Sequence, residues 1–143
     1  MGLKEQVYSV LIVSASERFN ITLSTLLPPS RYQPVCNVAN ISSAKRAAAE
    51  REFDFVIINS PLPDNPGIRF AIDTSNERES VILLLVRAEL SEEIYYETAE
   101  HGVRPFKTYF KSNDRNCTQL AIQCQRKVAE KQEKRIHFTR KNG

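Results

Sequence analysis

Phe53-Asp54-Phe55-Val56-Ile57-Ile58-Asn59-Ser60-Pro61-Leu62-Pro63-Asp64-Asn65-Pro66-Gly67 is the stretch that decides the fold. Phe53 to Ile58 is apolar but for one residue, and a short run of this kind bounded by turn signals fits a strand buried on both faces. Pro61 to Gly67 then gathers proline, aspartate, asparagine and glycine, which makes it a loop by every turn rule. A helical pattern follows over roughly Ile68–Asn76. Strand, sharp loop and helix in that order are the first part of a β-α-β unit with parallel strands.

The same alternation extends to both sides. Tyr8–Val13 is β-branched and nearly continuous in apolar residues. Ser16 can cap a helix in which Phe19, Leu23, Leu26 and Leu27 recur at helical spacing, and Pro28-Pro29 stops it. Tyr32–Val38 reads as a second strand, placed near a sheet edge by Pro34. Ser42 or Ser43 is expected to open an alanine-rich helix over Ala44–Arg51. Val81–Val86 is the fourth strand, and Ser91, Glu93 and Ile94 begin a fourth helix that runs to about Glu100. Four such units imply a parallel sheet with helices on both faces, and right-handed crossovers leave few topologies.

The 143 residues suffice for one ordinary domain, and a composition 41% hydrophobic and 26% charged is that of a globular protein. No apolar run reaches the 18 or more residues that would span a bilayer. Met1 to Gln6 lacks the basic-then-apolar order of a signal peptide, so a cytoplasmic protein with no membrane partner is expected. Cys36, Cys117 and Cys124 show no Cys-x-x-Cys spacing, and only His101 and His137 could supplement them. No metal site and no cofactor are expected, and the cysteines read as small apolar fillers or free thiols.

The net charge of +3 hides a division. Residues 1–103 carry nine Lys/Arg against fourteen Asp/Glu, a balance of −5; residues 104–143 carry eleven against three, a balance of +8.

The order of elements and the Phe53–Gly67 motif resemble the receiver domain of bacterial two-component response regulators. Receivers have here an apolar strand, a phosphoacceptor Asp, a Pro four residues on and a Gly eight residues on. Asn59, Pro63 and Gly67 occupy those positions. Val10–Val13 and the following Ser14-Ala15-Ser16-Glu17 match the first receiver strand and its acidic turn. More narrowly, the wording Leu11 to Asn20, Leu26 to Ser30 and Val56 to Asp64 is similar to clostridial regulators of the ANTAR type, which join a receiver to a small helical RNA-binding antitermination domain. The resemblance implies an α/β, flavodoxin-like, doubly wound five-stranded parallel sheet of order 2-1-3-4-5 over residues 7–125, with the last strand and helix least defined. Residues 126–143 are then a basic tail, disordered or extending the last helix.

The same resemblance implies a site whose chemistry has been lost. Aspartyl phosphorylation needs a carboxylate nucleophile and a Mg²⁺ held by further carboxylates, since this hard cation seeks oxygen ligands and a negative site. The acidic turn reads Ser14-Ala15, the acceptor position is Asn59, and the Thr/Ser position at the end of the fourth strand is Val86. Lys107 is the candidate substitute for the receiver lysine. Glu17 and Asp64 are rival acceptors; Glu17 more simply favours the start of its helix, and Asp64 serves turn geometry. Ser14 and Ser16 lack the Gly-x-Ser-x-Gly elbow of a hydrolase nucleophile.

The chain beyond Val103 alternates poorly. Lys107–Phe110 can form a strand, and Asn116–Lys134 a helix with Leu120, Ala121, Cys124 and Val128 on one stripe. The charge break at this point suggests a frameshift near codon 103. Synonymous codons for Arg104–Lys111 read one base later can give the Lys-Pro-Ile-Ser wording of the family's fifth strand, so a truncated regulator is expected. Two functions follow. The first is a degenerate receiver, no enzyme, working as a phosphorylation-independent regulatory module that binds a protein partner or a second copy. The fourth-helix and fifth-strand face, with Ile94, Tyr95 and Tyr96, would make that contact. The second is a nucleic-acid-binding protein using the basic tail. RNA binding of the antitermination kind would need a lost or separate ANTAR domain.

Overall fold

The computed structural model describes residues 7–86, 107–110, 121, 122, 124–126 and 129. Its elements in chain order are β1 (Tyr8–Val13), α1 (Glu17–Thr25), β2 (Tyr32–Val38), α2 (Ile41–Glu50), β3 (Phe55–Asn59), α3 (Ile68–Glu77), β4 (Val81–Val86) and β5 (Lys107–Phe110). The strands form one five-stranded sheet in the order β2-β1-β3-β4-β5, and all four pairings are parallel. The expected flavodoxin-like, doubly wound arrangement is therefore present, with β2 at the edge that Pro34 implied.

The central strands bury both faces, and their alternate residues feed two cores. Val10 and Ile12 of β1, Phe55 and Ile57 of β3 and Leu83 of β4 pack with Leu23 of α1, Leu27 and, from the far end of the chain, Ala121 and Cys124. Leu11, Val13, Val56, Ile58, Ile82 and Leu84 point the other way, onto Ile41 and Ala44 of α2 and Phe70 and Ala71 of α3. Covering each such side chain is worth about 1.5–3 kcal/mol, so the period of two fixes the register of every strand.

Local chemistry sets the helix ends. Ser16 caps α1 by accepting from the Phe19 N–H. The α2 helix starts earlier than the serines suggest: Asn40, extended at φ −152°, caps it through its side chain onto the Ser43 N–H. Ile41 is thereby drawn into the helix and buried in the second core. Gly67 precedes α3 at φ 87°, a left-handed value that side chains disfavour. A Cβ there would also lie 3.2 Å from Ile41 Cδ1 and from Ile58 Cγ2. The Ser9 hydroxyl and the Asp54 carboxylate tie the lower ends of β1 and β3: Ser9 N donates to Asp54 Oδ2 at 2.9 Å, and Asp54 N to Ser9 Oγ at 3.0 Å. Helical residues at 121, 122, 124–126 and 129 agree with the expected late helix, and the expected fourth helix lies outside the described residues. No described helix is long and apolar enough to cross a membrane.

Candidate functional site

In open parallel sheets, ligands bind beyond the carboxyl ends of the strands where the strand order reverses, here between β1 and β3. Ser14 follows β1 and Asn59 ends β3, and the structure brings the two together. Asn59 Nδ2 donates to Ser14 Oγ at 3.2 Å, inside the protein. Ser14 is wholly buried and Asn59 only 9% exposed. Ser14 Oγ also accepts from the Ser16 N–H at 3.1 Å, which tightens the turn into α1.

Two further asparagines extend this contact sideways. Asn20 of α1 donates through Nδ2 to the Ser14 carbonyl and to Asn37 Oδ1 of β2, each at 3.1 Å. The result is a neutral hydrogen-bonded clasp running from β2 through α1 and the β1 turn to β3. Neither Asn20 nor Asn37 stood out in the sequence; the one signal was a polar residue breaking the apolar end of β2 at Val35-Cys36-Asn37-Val38. Asn59 Oδ1 is buried without a partner among the described residues. Turning the amide over would let Ser14 donate to Oδ1 and leave the NH₂ unpaired instead, so one end of this amide stays unsatisfied in either orientation.

The other sequence-derived residues are spread around this edge. Ala15 and Glu17 are exposed, Ala15 on the turn and Glu17 as the first residue of α1. Val86 ends β4, one step past Leu85, which lies opposite Asn59. Lys107 opens β5 opposite Leu83, whereas the strand end opposite Val86 is Phe110. The register thus puts Lys107 two levels below Asn59, away from the carboxyl edge. Ile94, Tyr95 and Tyr96 lie outside the described residues.

Asp64 does something the turn reading did not include. Its carboxylate accepts from the Ile41 N–H at 2.9 Å, the Ser42 N–H at 3.0 Å and Ser42 Oγ at 3.2 Å. The backbone bonds from Ile41 and then Ser42 hold its carboxyl below the usual carboxylate range. The loop after β3 is thereby hooked onto the amino end of α2, where the free N–H groups and the helix dipole favour a negative charge. Within the same loop Ser60 Oγ donates to the Pro66 carbonyl at 2.7 Å and Gly67 N to Asn65 Oδ1 at 2.8 Å.

No protein-family model and no curated protein matches this chain. Solved structures do match. The receiver domain (CheY-like) from Methylobacillus flagellatus is 22% identical at a TM-score of 0.60, over 76% of this chain and 88% of that one. The signal receiver domain of an HD domain-containing protein from Pseudomonas fluorescens Pf-5 is 18% identical at 0.69, over 93% and 97%. The fold is that of a receiver domain. A third match is the receiver domain of a sensor histidine kinase from Pseudomonas aeruginosa PAO1, 16% identical at 0.63, over 87% and 99%, whose structure has a magnesium ion coordinated in the active-site cleft.

The described residues at this carboxyl edge do not fit such an ion. Among the described residues no group of three His, Cys, Asp or Glu side chains gathers to hold a metal. Ser14 and Asn59 are neutral and already bonded to each other, and one amide oxygen is a poor substitute for the carboxylates that Mg²⁺ takes.

Proposed function

We propose that this chain is a degenerate receiver of a two-component signalling system, acting as a phosphorylation-independent regulatory or dimerisation module and not as an enzyme. The Asn59–Ser14 hydrogen bond carries this reading. A phosphoacceptor site must keep its nucleophile charged and accessible beside a cation, and the corresponding groups here are neutral, nine-tenths covered and engaged with one another. An amide nitrogen conjugated to its carbonyl is not a competent nucleophile toward phosphorus. The clasp holds the strand ends together with neutral hydrogen bonds, so the edge keeps one arrangement without phosphate or metal.

The test is incubation with acetyl phosphate and Mg²⁺ followed by intact-mass measurement. The unmodified mass is expected, and a stoichiometric phosphate adduct would overturn the proposal. The wording shared with ANTAR-type regulators supports an antitermination pathway as the setting. In that setting RNA recognition belongs to a separate helical domain, and the receiver contributes contact with a protein partner or a second copy. Size-exclusion chromatography of Tyr95→Ala and Tyr96→Ala variants tests that face, and a shift in the dimer population is expected.

A further inference from the structure

A groove runs between α2 and α3, away from the carboxyl edge and its clasp, and all of its lining lies between Lys45 and Arg78. It encloses about 270 Å³. Phe70, 5% exposed, and Ala48 give it an apolar floor. Arg78, at the end of α3, reaches across it: Nη2 donates to the Ala48 carbonyl of α2 at 3.3 Å. Lys45 on the α2 wall and Glu77 on the α3 wall carry opposite charges, and neither makes an ion pair among the described residues. Asp73, between them, is held by Arg69 Nε at 3.2 Å. Thr74 also lines the groove although only 7% of it is exposed. Its carbonyl accepts from the Arg78 N–H at 2.9 Å, whereas its hydroxyl has no hydrogen-bond partner among the described residues.

We propose that this groove binds a free α-amino acid with an apolar side chain, its carboxylate at Lys45, its ammonium at Glu77 and its side chain on Phe70 and Ala48. Three observations carry this. A hydroxyl that is nine-tenths covered and unpaired is unfavourable, and a polar ligand that bonds Thr74 removes that penalty. The two unpaired charges stand on opposite walls, so a molecule with both signs satisfies them together. A simple anion would meet Glu77 and Asp73, and a simple cation would meet Lys45 and Arg78, each at a cost in repulsion.

The third observation is size. Ligand sites start at about 300 Å³, so this groove suits a molecule of amino-acid dimensions and is too small for a nucleotide. An aliphatic or aromatic side chain laid on Phe70 and Ala48 leaves water, which adds affinity that the charges alone do not supply. The inference does not rest on the loss of phosphorylation, because no residue of the clasp lines the groove.

The experiment uses the full chain, with L-leucine, L-valine and L-phenylalanine as probes, followed by calorimetric titration and by thermal unfolding. At least one of the three is expected to bind saturably and to raise the unfolding temperature with its concentration. For the best of them, the N-acetyl derivative, which lacks the ammonium, and the amide, which lacks the carboxylate, are expected to bind at least about tenfold more weakly. Lys45→Ala and Glu77→Ala change exposed positions and are each expected to weaken binding about tenfold without altering the fold. Thr74→Val keeps the shape, removes the hydroxyl and is expected to weaken it as well. No saturable binding of any probe would overturn the proposal. Binding that Lys45→Ala and Glu77→Ala leave at parent strength would overturn it too, and neither result bears on the acetyl phosphate test at Asn59.

Discussion

The Ile41 N–H, the first of α2, donates across 2.9 Å to a carboxylate oxygen of Asp64, a residue of the loop that leaves β3. With the two bonds from Ser42 it couples one side of the sheet's carboxyl edge to the helix beside it. Asp64 thus has a structural occupation that accounts for its charge.

Asp64→Ala is expected to lower the urea midpoint at neutral pH, because two N–H groups of the first helical turn lose their acceptor. The sign with pH follows from the depressed carboxyl. A group whose folded pKa lies below its unfolded value stabilises above the unfolded value, and that stability is lost as pH falls through the folded one. The gap between parent and variant midpoints, measured by urea denaturation from pH 7 down to pH 2, should therefore close at the acid end. A gap that stays constant would show that the bonds do not depend on ionisation.

Gly67→Ala tests the other support of this loop. The residue sits at φ 87°, and an added methyl would stand 3.2 Å from Ile41 Cδ1 and Ile58 Cγ2, both in the packed second core. Left-handed backbone costs a non-glycine residue about 1–2 kcal/mol, and crowding of the two isoleucines adds to this. A loss of about 2–3 kcal/mol in chemical denaturation is expected. An unchanged midpoint would mean that the turn adopts another geometry.

These residues also show what the sequence could disclose. Tyr8–Val13 and Val81–Val86 were legible to the residue, since a strand buried on both faces leaves a nearly continuous apolar run between turn signals, and Tyr32–Val38 was legible as a weaker, half-exposed edge strand. The start of α2 was misplaced because serines and asparagine compete as caps, and Ile41 reads as a helix residue only once Asn40 is seen capping. Ser14 and Asn59 stood out in the sequence as the positions that the resemblance to receivers assigns to their site. Their bond, across 45 residues, was not, nor were Asp64's contacts 23 residues away. Local pattern encodes elements and their buried faces, whereas contacts between loops depend on how the elements pack.

Asn59→Asp puts an acidic group at the position that the resemblance to receivers assigns to their phosphoacceptor, and the structure predicts that this alone does harm. The carboxylate would sit nine-tenths buried beside Ser14, which can donate one hydroxyl bond, with no positive charge in contact among the described residues. Desolvation then raises its folded pKa above the unfolded value, so the variant keeps its stability below the unfolded pKa and loses it as pH rises from there. Thermal unfolding should show Asn59→Asp close to the parent near pH 4 and progressively below it towards pH 8. Mg²⁺ should not rescue the single variant, because one carboxylate with neutral neighbours does not make a site for a hard divalent cation. Adding Ser14→Asp and Ala15→Asp supplies two more carboxylates on the β1 turn. That triple variant is expected to be less stable without metal, through mutual repulsion, and to gain thermal stability with millimolar Mg²⁺ where the parent does not. A parent protein stabilised by Mg²⁺ as strongly as the triple variant would show that the neutral clasp binds the ion after all, and would remove the physical basis of the proposed phosphorylation-independent role.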